Sequence, residues 1–234
     1  MLRFKGMIMR MLMRWLKKIG IVLVALFSLC LMVVLVAFGI LKIRTKGICT
    51  DFSSVYENQK YRSPVSVSGI DVVKQQISCG YAVIEMFAMW NGNSGITEQS
   101  LYAEYGKIVT STGKAFEKEM NRRFPEYTTT MHKYLKNEEL LDLVYESLAG
   151  GVPVPFEWSA KLGDEWTLHY SLITGLDVPG DKITIMNPYG YIEDITLQEF
   201  VDRTSFESYN DMPLFLELGF AFGIFEKNTV FIVE

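Results

Sequence analysis

An uncharged apolar run of 23 residues, Ile19 to Leu41, constrains this 234-residue chain more than any other feature. At about 1.5 Å per helical residue, the run is long enough to cross a bilayer core of roughly 30 Å. Six basic residues and no acidic residue precede it in residues 1–18, and three basic residues follow it in residues 42–46. This asymmetry predicts a single-pass cell-membrane protein, with residues 1–18 in the cytoplasm and the large domain outside.

A cleaved signal peptide is the alternative interpretation of the same run. Ala37 and Gly39 are small residues at the spacing that a signal peptidase reads. The apolar run is longer than a usual signal-peptide core, however, and a basic cluster follows it. We therefore predict an uncleaved signal anchor over residues 19–41, a polar linker over residues 42–65 and one folded domain over residues 66–234.

The chain beyond residue 46 is strongly acidic. It holds 14 lysine and arginine residues against 27 aspartate and glutamate residues, a formal charge of −13. This charge argues against nucleic acid as a partner of the domain. The three cysteines, Cys30, Cys49 and Cys79, lack metal-ligand spacing, so we expect no metal and no organic cofactor. A disulfide between Cys49 and Cys79 is a minor alternative.

Helical patterns fill the first half of the domain, and strand patterns fill the second. We predict helices from Cys79 to about Trp90 and within TEQSLYAEYG, GKAFEKEMNRRF, NEELLDLVYESL and LQEFVDRT. We predict strands within GGVPVPFEW, HYSLITGL, KITIMN, YIEDI and TVFIVE. Helices followed by antiparallel strands indicate the α+β class, and about 170 residues suffice for one sizeable core.

Cys79 stands where a helix is about to start. Ser78 before it is a good N-cap residue, and apolar residues follow at helical spacing. The first turn of a helix has unpaired N–H groups and the positive end of the helix dipole, which favour thiolate over thiol. Because the thiolate is the nucleophilic form, Cys79 is a candidate nucleophile, although a lone cysteine is more often a small buried hydrophobic residue.

A partner for this thiol is expected from one of the two histidines. His132 lies among charged residues, whereas His169 opens an apolar, β-branched run that predicts a buried strand. The next predicted strand delivers Asn187, directly before Pro188. Adjacent antiparallel strands would set His169 and Asn187 side by side, with Asn187 fixing the imidazole tautomer. Cysteine, histidine and asparagine in this order are the arrangement of a papain-like site.

Four motifs between roughly residues 65 and 200 resemble those of the bacterial papain-fold cysteine peptidases of family 39. They are Cys-Gly-x-Ala-x-x-x-Met, Gly-Val-Pro-Val, His-Tyr-Ser-x-x-x-Gly-x-Asp and Asn-Pro-x-Gly. These peptidases are similar to those that remove double-glycine leaders from bacteriocins, and they include stand-alone relatives. The resemblance implies a papain-like fold, a peptide or protein substrate, and Cys79, His169 and Asn187 as nucleophile, base and orienting residue.

The oxyanion-hole glutamine that the resemblance implies is displaced in this chain. In papain-like enzymes it precedes the nucleophile by six positions, where this chain has Val73. Gln75 and Gln76 are the candidates nearest to that position. The overall prediction is a membrane-anchored, extracytoplasmic bacterial cysteine peptidase that hydrolyses a peptide or isopeptide bond. Two alternatives stay open: acyl transfer of the transglutaminase type at the same triad, and a non-catalytic peptide-binding module of the same fold.

Overall fold

The N-terminal part of the protein is one long helix, α1 (Leu2–Arg44), in a computed structural model that describes residues 2–234 and the side chains from Met13 onward. The segment Met13–Arg44 is long and apolar enough to cross a membrane, and only 6% of its most apolar stretch is buried. The predicted apolar helix is therefore confirmed. A signal sequence passes the same test of length and composition, so its orientation and its retention stay predictions.

The remaining elements alternate between short helices and strands. The helices are α2 (Ser54–Glu57), α3 (Cys79–Trp90), α4 (Glu98–Tyr105), α5 (Gly113–Arg123), α6 (Asn137–Ala149), α7 (Leu197–Thr204) and α8 (Leu214–Ala221), with a 3₁₀ turn at Gln59–Tyr61. The strands are β1 (Val65–Ser66), β2 (Thr129–His132), β3 (Val154–Leu162), β4 (Glu165–Asp177), β5 (Lys182–Asn187), β6 (Tyr191–Ile195) and β7 (Thr229–Val233).

All seven strands form one antiparallel sheet. Its order is β2-β7-β3-β4-β5-β6, and the short β1 pairs with β4. Each predicted helix and strand is present, and the α+β class with an antiparallel sheet is confirmed. Five of the described elements were not predicted: α2, the 3₁₀ turn, β1, β2 and α8.

Successive residues of a strand point to opposite faces, so the sheet carries a core on each side. One core joins α3 and α5 to Tyr170 and Leu172 of β4. The other joins α6 and α7 to Trp158 of β3 and Ile173 of β4. Strand β4 is therefore covered on both faces, and α3 packs directly on it. This packing brings the start of α3 to the strand that carries His169.

Part of the predicted linker belongs to the folded domain instead. Phe52, Val55 and Tyr61 are buried in the core on the α6 side of the sheet. These three apolar side chains are spread through a polar stretch, so composition alone gave no sign of their burial. The domain thus begins packing before residue 66, which corrects the predicted boundary. The minor disulfide alternative is also wrong, because Cys49 and Cys79 are both free and Cys49 Sγ donates to Glu207.

Candidate active site

Cys79 is the first residue of α3, as predicted. The Oγ atom of Ser78 accepts a hydrogen bond from the N–H of Tyr81 at 3.1 Å, which caps the helix at this point. Gly80 follows the cysteine because Thr110 lies too close for a side chain: a Cβ atom at position 80 would stand 2.4 Å from Oγ1 of Thr110. Cys79 as a whole residue is half-buried, and Gly80 after it is buried.

A buried carboxylate holds the loop that leads into the cysteine. Glu98, at the start of α4, accepts from the backbone N–H of Gln76 at 2.7 Å and of Ser78 at 3.0 Å, with a longer contact to Ile77 at 3.4 Å. Hydrogen bonds to a charged acceptor are among the stronger ones in proteins. Glu98 therefore fixes the backbone immediately before Cys79, a role that the sequence patterns did not indicate.

His169 and Asn187 are in contact, as predicted. The Nε2 atom of His169 lies 3.1 Å from Oδ1 of Asn187, and both side chains are buried. The same Oδ1 accepts from the backbone N–H of Tyr189 at 2.9 Å. The Tyr189 ring stacks on the imidazole with centroids 4.2 Å apart. The imidazole is thus held at one edge by Asn187 and on one face by Tyr189.

A carboxylate holds Asn187, and an arginine in turn holds that carboxylate. Its Nδ2 atom donates to Oε2 of Glu193 at 2.9 Å, and the other oxygen of Glu193 lies 2.6 Å from Nη1 of Arg203. The guanidinium of Arg203 lies 3.6 Å from the ring centre of Trp158, which is the register partner of His169. Sequence reasoning missed Glu193 and Arg203. The hairpin after Asn187 could have indicated that Glu193 lies near Asn187, because it sets β6 beside β5.

The thiol meets β4 at the backbone. The N–H groups of Tyr170 and Gly80 lie beside the Cys79 sulfur. Tyr170 directly follows His169, so the Cys79 sulfur meets β4 one residue from His169 along the strand. Within the described residues, the Cys79 thiol forms no hydrogen bond with the imidazole of His169. Catalytic hydrogen bonds are often long or poorly aligned in the absence of substrate.

Burial shifts the pKa values of Cys79 and His169 in opposite directions. Burial raises the pKa of the Cys79 thiol to about 11, although the surrounding backbone N–H groups act in the opposite direction. Burial also lowers the pKa of His169 to about 3, with the nearby Arg203 charge adding to the effect and the bond to Asn187 opposing it. Burial therefore opposes the thiolate that the helix start favours.

Of the two candidate glutamines, Gln75 lies closer to the triad. Its backbone N–H donates to the carbonyl of Pro188 at 2.8 Å, and its side-chain oxygen is enclosed without a hydrogen-bond partner. The side chain of Gln76 is exposed and reaches back to the carbonyl of Lys74 at 3.4 Å. Val73 packs against the core on the α3 side of the sheet. His132 lies on β2, opposite Val230 of β7, and is not part of the triad.

No group of three or more potential metal ligands occurs among the described residues. No protein-family model matches the chain, and no curated protein sequence matches it. Among solved structures, it is similar to a double glycine motif protease from an AMS/PCAT transporter in complex with the leader peptide. The two chains are 15% identical, the match covers 73% of this chain and 96% of the other, and the TM-score is 0.48. At this level of similarity, the function has to be argued from the site itself.

Proposed function

We propose that the protein is a membrane-anchored, extracytoplasmic cysteine peptidase that cleaves a peptide or isopeptide bond with Cys79, His169 and Asn187. One arrangement carries the proposal. Nε2 of His169 lies 3.1 Å from Oδ1 of Asn187, and the backbone N–H of the next residue, Tyr170, lies beside the Cys79 sulfur. A nucleophile, a base and a group that orients the base are the three parts that such a site needs.

The hydrogen bonds of Asn187 support the assignment of the imidazole tautomer. Its Nδ2 atom donates to the carboxylate of Glu193, and its Oδ1 atom accepts from the backbone N–H of Tyr189. These two contacts decide which end of the amide faces His169. Because an oxygen atom faces Nε2, the ring hydrogen belongs on Nε2. The lone pair of Nδ1 is then free to accept the thiol proton.

The reaction follows from these roles. Nδ1 of His169 takes the proton of the Cys79 thiol while the sulfur attacks the carbonyl carbon of the substrate. The backbone N–H of Cys79 and the amide of Gln75 donate to the developing oxyanion. His169 returns the proton to the leaving amine, and a thioester remains on Cys79. Water then attacks the thioester with His169 as base, which releases the acid and the free thiol.

The raised thiol pKa and the lowered imidazole pKa favour a neutral resting pair. Proton transfer therefore accompanies attack on a bound substrate, and no stable thiolate precedes it. The same observation favours one second candidate, a non-catalytic peptide-binding module. A protein that binds peptides has no need of an activated thiol.

The test is a cleavage assay on the full chain in detergent. A mixture of synthetic peptides is incubated with the protein, and mass spectrometry identifies new termini. Cys79→Ala is the matched control, and an added primary amine reveals acyl transfer as amide products. We expect new termini that Cys79→Ala does not produce, and labelling of Cys79 by a peptide-derived epoxide. Identical peptide patterns for both proteins, without labelling, would favour the binding module.

The outside location of the domain has its own test. Protease added to intact cells should digest the chain beyond residue 46, with a cytoplasmic protein as the control for intact membranes. Digestion only after lysis contradicts this orientation. Recovery of a chain that starts near Ile40 indicates cleavage of a signal peptide instead.

A further inference from the structure

The segment formed by α8 and the turn that follows it exposes large apolar side chains. Leu214 is 65% exposed, Phe215 69%, Phe222 50% and Ile224 50%. In α8, residues 214, 218 and 222 are spaced by four, so their side chains share one helix face with Phe215 at its border. A contiguous exposed apolar patch indicates an interaction surface.

The opposite side of α8 is fixed to the folded domain. Leu216 and Phe220 are buried, and the Phe220 ring lies 4.8 Å from that of Phe206 and 5.8 Å from that of Phe225. Gly219 permits this packing, because a Cβ atom there would stand 2.5 Å from the Phe225 ring. The exposed face is therefore held outward by a well-packed helix.

Helix α8 packs beside the end of α1 that is nearest to the domain. The residues at this junction are Val33, Val36, Ala37, Ile40 and Arg44 of α1, with Ala221 and Phe222. Ala37 is 7% exposed, whereas the neighbouring Val36 is 57% exposed. The turn after α8 also meets α1, since a Cβ atom at Gly223 would stand 3.1 Å from Nη1 of Arg44.

The position of this junction sets the depth of α8 relative to a bilayer. Residues 33 to 44 of α1 span about 16 Å at 1.5 Å per residue. Most of that length lies within the predicted span, Ile19 to Leu41, and its end carries Lys42 and Arg44, with Lys46 two residues beyond α1. A bilayer crossed by α1 therefore reaches α8, and the basic residues stand at the level of the phosphate groups.

We propose that α8 and the turn through Ile224 are a second membrane contact, whose apolar face enters the boundary between the acyl chains and headgroups of the bilayer that α1 crosses. Glu217 is the charged residue of α8, and it lies at the edge of the apolar face, three residues after Leu214 and on the side away from Phe215. An apolar face with its charge to one side is the pattern of an interfacial helix. The contact fixes the tilt of the folded domain on the membrane, and it does not depend on peptidase activity.

The test places an environment-sensitive fluorophore on the full chain in nanodiscs of zwitterionic phosphatidylcholine. The native cysteines are removed (Cys30→Ala, Cys49→Ala, Cys79→Ala), and Phe215→Cys or Ile224→Cys supplies the label position. Leu162→Cys is the matched control, since Leu162 is an exposed apolar residue at the end of β3, next to the turn into β4. Quenching is measured with nitroxide-labelled lipid and, separately, with iodide in the buffer.

We expect lipid nitroxide to quench the labels at 215 and 224 at least about threefold more than the label at 162, and iodide to show the reverse order. Two label positions, one in the helix and one in the turn, guard against a local effect of either substitution. Equal quenching at all three positions overturns the proposal. Shielding from iodide without quenching by lipid nitroxide also overturns it, because protein and not lipid then covers the face.

Discussion

Glu157 and Tyr170 face each other across β3 and β4, and the side-chain oxygens of both are buried without a hydrogen-bond partner in the described structure. Glu157 is 1% exposed, and burial raises the pKa of its carboxyl to about 8, with the charge of Glu226 as a smaller cause. An ionised Glu157 would in turn raise the pKa of the Cys79 thiol. The neutral carboxyl is therefore the state compatible with an active thiol.

The first prediction concerns Glu157 and the pH dependence of stability. The folded state holds the Glu157 proton up to about pH 8, whereas an ordinary carboxyl loses it near pH 4.5. The stabilisation that the protonated Glu157 carboxyl contributes to the folded state is fully present below pH 4.5, and it is lost as the pH rises through 8. We expect the wild-type protein to lose about 2 kcal/mol more unfolding free energy than Glu157→Gln between pH 6.5 and 9.

Urea unfolding of the detergent-solubilised chain at several pH values measures this difference. Glu217→Gln is the control, because its carboxylate is exposed. His169 contributes in the opposite sense, mainly between its folded pKa of about 3 and the ordinary value of 6.5, and it cancels because both proteins contain it. Parallel pH curves for wild type and Glu157→Gln would show that Glu157 is already ionised in the folded protein.

The second prediction concerns the triad. Cys79→Ser and His169→Ala should each lower the rate of peptide cleavage by at least about 10⁴-fold, because nucleophile and base act as one unit. His132→Ala should leave the rate within about twofold, since enzymes tolerate most changes remote from the chemistry. Circular dichroism checks that each variant is folded. Substantial turnover by Cys79→Ser would exclude Cys79 as the nucleophile.

The third prediction concerns the oxyanion donor. Gln75→Ala should lower kcat by about 100- to 1,000-fold, because loss of one donor leaves the developing charge short of a partner in a partly dry site. Gln76→Ala is the matched control and should change kcat little, because its side chain is exposed. Steady-state kinetics of the two variants separate these outcomes. Full activity of Gln75→Ala would assign the donor elsewhere.

The fourth prediction concerns the group behind Asn187. Glu193→Ala removes the acceptor of the Asn187 amide and should lower kcat by about tenfold with KM unchanged, because the imidazole loses part of its alignment. Glu193→Gln keeps an acceptor oxygen and should restore most of the rate. A change in KM alone would indicate that Glu193 contacts substrate instead of positioning the base.

The fifth prediction concerns the loop before the nucleophile. Glu98→Ala leaves the backbone N–H groups of Gln76 and Ser78 without their buried acceptor. We expect a loss of about 3 kcal/mol of unfolding free energy, because each unsatisfied buried donor costs roughly 1 to 3 kcal/mol. Chemical denaturation measures the loss, with Glu126→Ala as an exposed control. A loss below about 1 kcal/mol would mean that water replaces the carboxylate.

Sequence patterns predicted the parts of the site that lie within one helix or within two neighbouring strands. Ser78 and the apolar residues after it fixed the start of α3, and the alternation of β4 and β5 placed His169 beside Asn187. Contacts between distant segments were beyond such patterns. Glu98 reaches the loop 20 residues before it only after α3 and α4 have packed.

The pKa of the Cys79 thiol likewise depends on contacts between distant segments. The helix terminus is a local feature and favours thiolate, whereas the stronger effect, burial between α3 and β4, exists only in the folded domain. Helix α8 was missed for another reason. Its sequence, LFLELGFA, is apolar on nearly all sides, so the helical period was not visible against a polar face.

The order of the strands also bears on when the proposed site is complete. β7 lies between β2 and β3, although it follows β6 in the chain, and Thr229 pairs with Glu157. Until β7 has been synthesised, β3 therefore has an unpaired edge. We expect the nascent domain to need a chaperone at that edge, and the domain to stay inactive until β7 has paired with β3.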